Sequence, residues 1–144
     1  PGLDVDLLAM PFVGSSGKLL DKMLEAIDLN REKVYIANII PWRPPANRRP
    51  TEDEINSCLP FILKHIEIIK PSALMLLGST ATFAILQNKE GISKIRGKWV
   101  DLKINQMTIP TMPTFHPAFL LRQPGQKKHV WTDLQSLRDK IKQK

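Results

Sequence analysis

Short apolar runs that alternate with amphipathic segments constrain the fold of this chain more than any other feature of its sequence. The runs at residues 34–40, 73–77 and 109–115 are apolar or β-branched over most of their length, as buried parallel strands are. Apolar side chains recur at helical spacing in four other segments, residues 14–27, 51–66, 79–86 and 127–142. The alternation predicts a three-layer α/β/α sandwich with a mostly parallel central sheet.

Local signals refine this prediction. Thr51 and Glu54 have the spacing of a capping box, so a helix should begin there, and Pro60 should kink or divide it. Residues 92–111 alternate irregularly, which predicts short extended pieces or a hairpin that leads into the third strand. The loop at residues 41–50 holds four prolines and three arginines, so we expect it to be stiff, exposed and positively charged.

Composition narrows the class of protein. The chain has 144 residues and a formal net charge of +7, a size that fits one domain and a charge that favours a polyanionic partner such as nucleic acid. Its single cysteine excludes an internal disulfide and fits a reducing compartment. No apolar run is long enough to span a bilayer and no leader opens the chain. We therefore expect a cytoplasmic protein that does not enter a membrane.

Polar residues follow the predicted strands. In open α/β sheets the ligand site lies beyond the carboxyl ends of the strands, where Asn38, Gly78-Ser79 and His116 should converge. An asparagine amide both accepts and donates at a base edge, and a histidine can donate to a carbonyl that becomes charged. Phe12, before the first predicted helix, could stack on a base or pack in the core.

These residues belong to motifs that resemble family 4 uracil-DNA glycosylases. The resemblance rests on five segments in the same order: Pro11-Phe12-Val13-Gly14 with Gly17 and Leu19-Leu20; Asn38 with Arg43-Pro44-Pro45-Ala46-Asn47-Arg48; Leu77-Gly78 with Ala81; Ile95-Arg96-Gly97-Lys98-Trp99; and His116-Pro117-Ala118-Phe119-Leu120-Leu121-Arg122. The last segment has Phe119 where the family has tyrosine. Together the segments cover nearly the whole chain.

The resemblance implies a monofunctional DNA glycosylase of base excision repair. Such an enzyme flips uracil out of DNA and hydrolyses its N-glycosidic bond, which leaves an abasic site. By position, Phe12 would stack on the uracil, Asn38 would read its Watson-Crick edge and Gly2 would contribute to the pocket. His116 would donate to uracil O2 and stabilise the charge of the departing base.

The resemblance also implies the surface that holds DNA. Leu121 would fill the gap that the flipped base leaves, unless it packs in the core. The backbone amides of Gly78 and Ser79 would bind a phosphate at a helix start. Further phosphate contacts would come from three arginines, Arg43, Arg48 and Arg122.

The beginning of the chain departs from the family. The family's catalytic region opens with Gly-Glu-Ala-Pro-Gly, of which only Pro1-Gly2 is present. We therefore expect residues 1–144 to form a single uracil-DNA glycosylase-like domain that lacks its first strand and the start of the catalytic motif. Asp6, and less well Asp4, falls in the acidic stretch after that motif; Asp6 is the expected catalytic carboxylate, with a surface-loop carboxylate as the alternative.

The cysteine pattern also departs from the family, whose members usually hold a 4Fe-4S cluster with four cysteines. Cys58 matches one ligand position, whereas Trp42 stands in place of another. We expect no metal and no cofactor. We also expect a monomer whose partner is uracil-containing DNA.

Three alternatives remain open. A related enzyme could act on hypoxanthine or xanthine, although the amide of Asn38 suits a pyrimidine edge better. A non-catalytic DNA-binding or polymerase-associated module of the same fold would explain the altered opening and cysteine pattern. An unrelated nucleotide-binding protein has no Gly-rich phosphate signature in its favour.

Overall fold

The computed structural model describes residues 5–9, 15–27, 34–38 and 51–142. These residues form five strands, β1 (Val5–Ala9), β2 (Val34–Asn38), β3 (Ala73–Leu77), β4 (Val100–Ile104) and β5 (Met107–Thr114). They also form six α-helices, α1 (Ser15–Ala26), α2 (Glu52–Ile69), α3 (Ser79–Leu86), α4 (Ile92–Ile95), α5 (Pro117–Arg122) and α6 (Lys127–Lys142). A short 3-10 turn, Pro124–Gln126, joins the last two helices.

The strands form one sheet in the order β2-β1-β3-β5-β4. The first four strands of this order are parallel, and β4 pairs antiparallel with β5 as a hairpin. The hairpin turns at Asn105, whose positive φ of 54° suits asparagine better than most residues. The predicted hairpin is therefore present, and its second strand begins earlier than residue 109.

Two hydrophobic clusters cover the two faces of the sheet. One contains Leu20 and Leu24 of α1, Leu134 and Leu137 of α6, and one side of the central strands. The other contains Ile62 of α2 together with buried residues of α3 and the opposite side of the same strands. Helices thus pack on both faces of a mostly parallel sheet, and the predicted three-layer α/β/α sandwich is confirmed.

Helix α2 begins as the capping box predicts. The Glu54 amide donates to Oγ1 of Thr51 over 3.1 Å, and the Thr51 amide donates to Oε1 of Glu54 over 2.8 Å. Pro60 does not divide the helix, which continues to Ile69. The proline ring lies on the exposed side, so the missing backbone hydrogen bond faces solvent rather than the core.

Strand β1 is the main departure from the expected fold. The sequence predicted no strand at this point, yet Val5–Ala9 is an interior strand of the described sheet, between β2 and β3, and is buried along its whole length. Its side chains alternate between faces, so Leu7 enters the cluster beside α1 whereas Leu8 enters the cluster beside α2. The buried strand β1 corrects the expectation that Asp6 lies in a surface loop, whereas the expectation of a missing strand before residue 1 stays a prediction.

Within the described ranges, no helix combines the length and the apolar character that crossing a bilayer would require.

Candidate active site

The carboxyl ends of the parallel strands lie at one edge of the sheet. Ala9 pairs with both Asn38 and Leu77, and Leu77 pairs with Thr114, so these strand ends are level with one another. Gly78 follows β3 directly, and His116 lies two residues beyond β5. The strand positions therefore bring Asn38, Gly78 and His116 to the same rim, as the rule for open α/β sheets predicts.

A pocket of about 330 Å³ opens at this rim. The junction of β3 and α3 forms one side of it, and the junction of β5 and α5 forms another. The rings of Phe115 and Phe119, 4.8 Å apart between centroids, lie in its apolar wall. Four predicted site residues line this pocket, namely Gly78, Ser79, His116 and Arg122.

The side chain of His116 caps helix α5 at this rim. It is the N-cap of α5, and its Nδ1 accepts a hydrogen bond from the amide of Ala118 over 3.0 Å. An imidazole nitrogen that accepts from an N–H carries no proton, so the proton of the neutral ring is on Nε2. The helix cap therefore fixes the tautomer in which Nε2 can donate to a ligand carbonyl.

Gly78 brings the two sides of the pocket together. Its amide donates to the carbonyl of Thr114 over 2.8 Å, which links the end of β3 to the end of β5. Its φ of 93° and ψ of 170° lie in a region that only glycine adopts readily. A Cβ at this position would lie 3.1 Å from the Cβ of His116, a tight contact that would require the histidine to shift by a few tenths of an ångström.

Helix α5 presents two consecutive leucines in different ways. Leu120 is fully buried beneath the helix, whereas the side chain of Leu121 is 46% exposed. The interpretation that Leu121 packs in the core is therefore wrong. Arg122, at the end of the same helix, is exposed and lines the pocket. Helix α5 thus exposes an apolar side chain next in sequence to the arginine that lines the pocket.

Asp6 lies away from this pocket. It is fully buried within β1, three residues before the rim, a distance of roughly 10 Å along an extended strand. Its Oδ2 is 2.8 Å from Nε2 of His65 in α2. The alternative of a surface-loop carboxylate is wrong, and this position does not favour the catalytic role that the resemblance implies.

The Asp6–His65 pair has its own electrostatics. Burial raises the pKa of Asp6 to about 6, although the charge and hydrogen bond of His65 act to lower it. The second oxygen of the carboxylate, Oδ1, is buried and has no hydrogen-bond partner among the described residues. No sequence signal points to His65, because 59 positions separate it from Asp6 and no motif links the two.

Several predicted residues lie outside the described part of the chain. These are Gly2, Asp4, Phe12, Trp42, Arg43 and Arg48. Asn38 is described by its strand position alone. The roles given to these residues stay predictions.

Cys58 does not have the surroundings of a cluster ligand. It is buried in α2 among aliphatic side chains, and burial, with a smaller contribution from Glu54, raises the pKa of its thiol. Metal binding requires the thiolate, which a raised pKa disfavours. In the stretches that the structure describes, no three His, Cys, Asp or Glu side chains group as metal ligands do. The described residues thus offer one cysteine, Cys58, whereas the cluster of the family takes four.

Comparison with known proteins identifies similar sequences. The sequence profile of the Uracil DNA glycosylase superfamily matches residues 1–135. A type-4 uracil-DNA glycosylase of Sulfurisphaera tokodaii is 39% identical over 96% of this chain and 66% of its own length. The corresponding protein of Thermotoga maritima is 39% identical over 99% of this chain and 74% of its own length. The chain thus spans about two thirds to three quarters of these relatives.

A relative of another kind is also similar. A DNA polymerase of Bacillus phage SP01 is 30% identical over 86% of this chain, and the matched region makes up 13% of that polymerase. A domain of this type therefore occurs inside a much larger DNA-synthesising protein.

Proposed function

Because this chain belongs to the uracil DNA glycosylase superfamily, we propose that it is a uracil-DNA glycosylase that releases uracil from DNA and leaves an abasic site. The observation that carries the proposal is the tautomer of the His116 imidazole. The residue lines a pocket at the carboxyl rim of the sheet, and its helix-capping bond leaves the proton on Nε2. A fixed donor in a pocket is what the departure of an anionic base requires.

In the proposed reaction the bond between C1′ of the sugar and N1 of uracil breaks, and its electron pair stays with the base. The negative charge spreads to O2, where Nε2–H of His116 donates. Water adds to C1′ and supplies the hydroxyl of the abasic site, and the proton that it loses passes through solvent to the uracil anion. A donor oriented before the reaction stabilises this charge without reorganisation, and removing one such donor typically costs about 10²- to 10³-fold in rate.

Recognition of the base completes the proposal. Phe12 stacks on the extrahelical uracil, and Asn38 pairs with its Watson-Crick edge as acceptor and donor. Gly2 contributes backbone to the same pocket. The strand position of Asn38, level with Leu77, supports its share in this site.

The proposed DNA surface combines charge with one inserted side chain. Leu121 enters the stack when uracil leaves it, which its 46% exposure supports. We assign a phosphate to the N-terminus of α3 at Ser79, where the helix dipole favours an anion; the amide of Gly78 donates to Thr114 instead. Arg43, Arg48 and Arg122 supply further phosphate contacts, in keeping with the net charge of +7.

No cofactor takes part in this proposal. Cys58 is the single cysteine of the 144 residues and its thiol is buried among aliphatic side chains. We propose that these residues hold no iron–sulfur cluster. Iron analysis and the visible absorption spectrum of protein purified without oxygen test this statement, and four iron atoms per chain would overturn it.

We also propose a domain count, an oligomeric state and a compartment for the protein. Residues 1–144 form one domain that acts as a monomer in the cytoplasm. Light scattering during gel filtration tests the monomer, since a dimer would double the mass of 16.4 kDa.

A non-catalytic module is the second candidate function. The match to a phage DNA polymerase favours it, because a domain of this type there forms part of a polymerase. Such a module would bind uracil-containing DNA without releasing the base.

One experiment separates the two candidates. The protein is incubated with an oligonucleotide that carries one uracil, and strand cleavage is measured after alkali treatment. We expect cleavage at uracil by the wild type and by Gly125→Ala, whose position has open space around it, and loss of cleavage in Asn38→Ala and His116→Ser. An oligonucleotide with thymine in place of uracil should stay intact. Tight binding of the uracil oligonucleotide without cleavage by the wild type would establish the non-catalytic module instead.

A further inference from the structure

The segment Arg96-Gly97-Lys98-Trp99 belongs to the family-like motifs, but the proposed reaction gives it no role. In the structure this segment encloses a carboxylate. Asp133 of α6 is 1% exposed, and Arg96 donates to it through two nitrogens, Nε at 3.0 Å and Nη2 at 2.5 Å. A paired geometry of this kind orients a buried carboxylate firmly.

The same carboxylate holds the end of strand β5. Thr114 is fully buried, and its Oγ1 donates to Oδ2 of Asp133 over 2.5 Å. The carbonyl of Thr114 accepts the amide of Gly78 over 2.8 Å. Thr114 is therefore fixed from two directions, by a side-chain bond to α6 and by a backbone bond to the β3–α3 junction.

Gly97 closes the enclosure around the carboxylate. Its amide donates to the carbonyl of Pro113 over 2.8 Å, and its φ of 78° is one that glycine adopts readily. A Cβ at position 97 would lie 2.6 Å from Oδ1 of Asp133, so no larger residue fits. Backbone and guanidinium together leave the carboxylate with almost no access to water.

His116 lies two residues after Thr114 and against Gly78. Since Thr114 fixes the strand on one side and Gly78 limits His116 on the other, the position of the imidazole depends on both contacts. We propose that Asp133 is a positioning residue for the glycosylase reaction, acting through Thr114 to hold His116 at the rim. This inference rests on the proposed function for its kinetic consequence. A displacement of about 1 Å at a reacting group can cost about 10²-fold in rate.

The test uses two substitutions of Thr114 that differ by the hydroxyl. Thr114→Val keeps the shape of the side chain and removes the bond to Asp133, whereas Thr114→Ser keeps the bond. We expect Thr114→Val to lower the single-turnover rate of uracil release by about 10-fold or more, with DNA affinity unchanged within about threefold. Thr114→Ser should recover most of the rate. Asp133→Asn, which leaves Arg96 without its counter-charge, should lower the rate at least as much.

Ser136→Ala is the matched control. Ser136 lies on the same helix and accepts from Nε1 of Trp99 over 2.8 Å, so it anchors the same segment through a bond that involves neither Asp133 nor Thr114. We expect this variant to lose some thermal stability and to keep the wild-type rate. A folded Thr114→Val that also keeps the wild-type rate would overturn the inference, since Asp133 would then stabilise the fold alone.

A spectroscopic measurement gives a result that does not depend on activity. The ring nitrogen resonances of His116 should shift in Thr114→Val and return towards the wild-type values in Thr114→Ser. Unchanged resonances in folded Thr114→Val would contradict the inference. If the wild type releases no uracil, the proposed function fails, while the resonances still decide whether Asp133 positions His116.

Discussion

Gly78 and His116 are in contact at the rim of the sheet, where a methyl group added to the glycine would lie 3.1 Å from the Cβ of the histidine. The glycine also has φ and ψ values that other residues avoid. The pocket wall that contains His116 thus depends on a position without a side chain.

We therefore expect Gly78→Ala to destabilise the protein by about 1–3 kcal/mol because of backbone strain. It should also slow uracil release by about 10-fold or more, because the methyl group displaces His116. Chemical denaturation and single-turnover kinetics measure the two effects. Gly125→Ala is the control, since nothing lies within 4 Å of a Cβ at that position. Equal rates for the two alanine variants would show that the contact has no part in activity.

His116 should have two separable contributions, as a donor and as the cap of α5. His116→Ser retains an oxygen that can accept from the Ala118 amide, whereas His116→Ala does not. We expect both variants to lose about 10²- to 10³-fold in uracil release. Only the alanine variant should lose the capping stabilisation of about 1 kcal/mol, measured by urea unfolding. Substantial activity in the serine variant would argue against His116 as the donor.

The two leucines of α5 should respond in opposite ways. Leu120→Ala creates a cavity beneath a fully buried side chain and should cost about 2–5 kcal/mol of stability. Leu121→Ala removes a side chain that is 46% exposed and should change stability by about 0.5 kcal/mol or less.

Among folded proteins, uracil release should depend more on Leu121 than on Leu120. Leu121→Ala should slow release from double-stranded DNA by roughly 10-fold while it affects single-stranded DNA little, because only a duplex closes behind the flipped base. The ratio of the two rates is the measurement. An unchanged ratio would assign the gap-filling role to another residue.

Asp6 should make stability depend on pH. Burial raises its pKa from 3.8 to about 6, so between these values the folded protein binds more protons than the unfolded chain. The contribution of Asp6 to stability therefore falls as pH rises from about 4 to about 6 and stays low above that. The stability of Asp6→Asn relative to the wild type should therefore increase from pH 4 to pH 6. At pH 7 the Tm of the variant should be higher by on the order of 5 °C.

Two variants check the assignment to Asp6. Asp101→Asn, at an exposed position of β4, should show no such pH-dependent gain. His65→Ala removes both influences that lower the pKa of Asp6, so the window should extend to higher pH. A difference in Tm between Asp6→Asn and the wild type that is the same at every pH would contradict the raised pKa of Asp6.

The sequence was most informative where a local signal coincides with burial. The capping box located the start of α2, and the apolar runs located β2 and β3, because these signals act between neighbouring residues. The convergence of Gly78 and His116 at one rim followed from the general rule for parallel sheets. The roles of Asn38 and Phe12 stay predictions.

The missed features depend on contacts between distant parts of the chain. Val5–Ala9 is short and interrupted by Asp6, so its identity as a strand is decided by the neighbours that enclose it. The four residues of α4 are too few for a helical periodicity. Asp133 gave no signal either, because its partners Arg96 and Thr114 are 37 and 19 residues away.

The interior position of β1, between β2 and β3, has a consequence for how this protein folds. Val5 pairs with Val34 on one side and Ala73 on the other, so this part of the sheet joins residues 29 and 68 positions apart. The entropy of closing such long loops has to be overcome before these strands stabilise one another. On a ribosome, the apolar side chains of β1 emerge long before β3 can cover them. The interval between the synthesis of β1 and that of β3 is therefore the stage at which these strands are most prone to aggregation, and at which a chaperone would matter most.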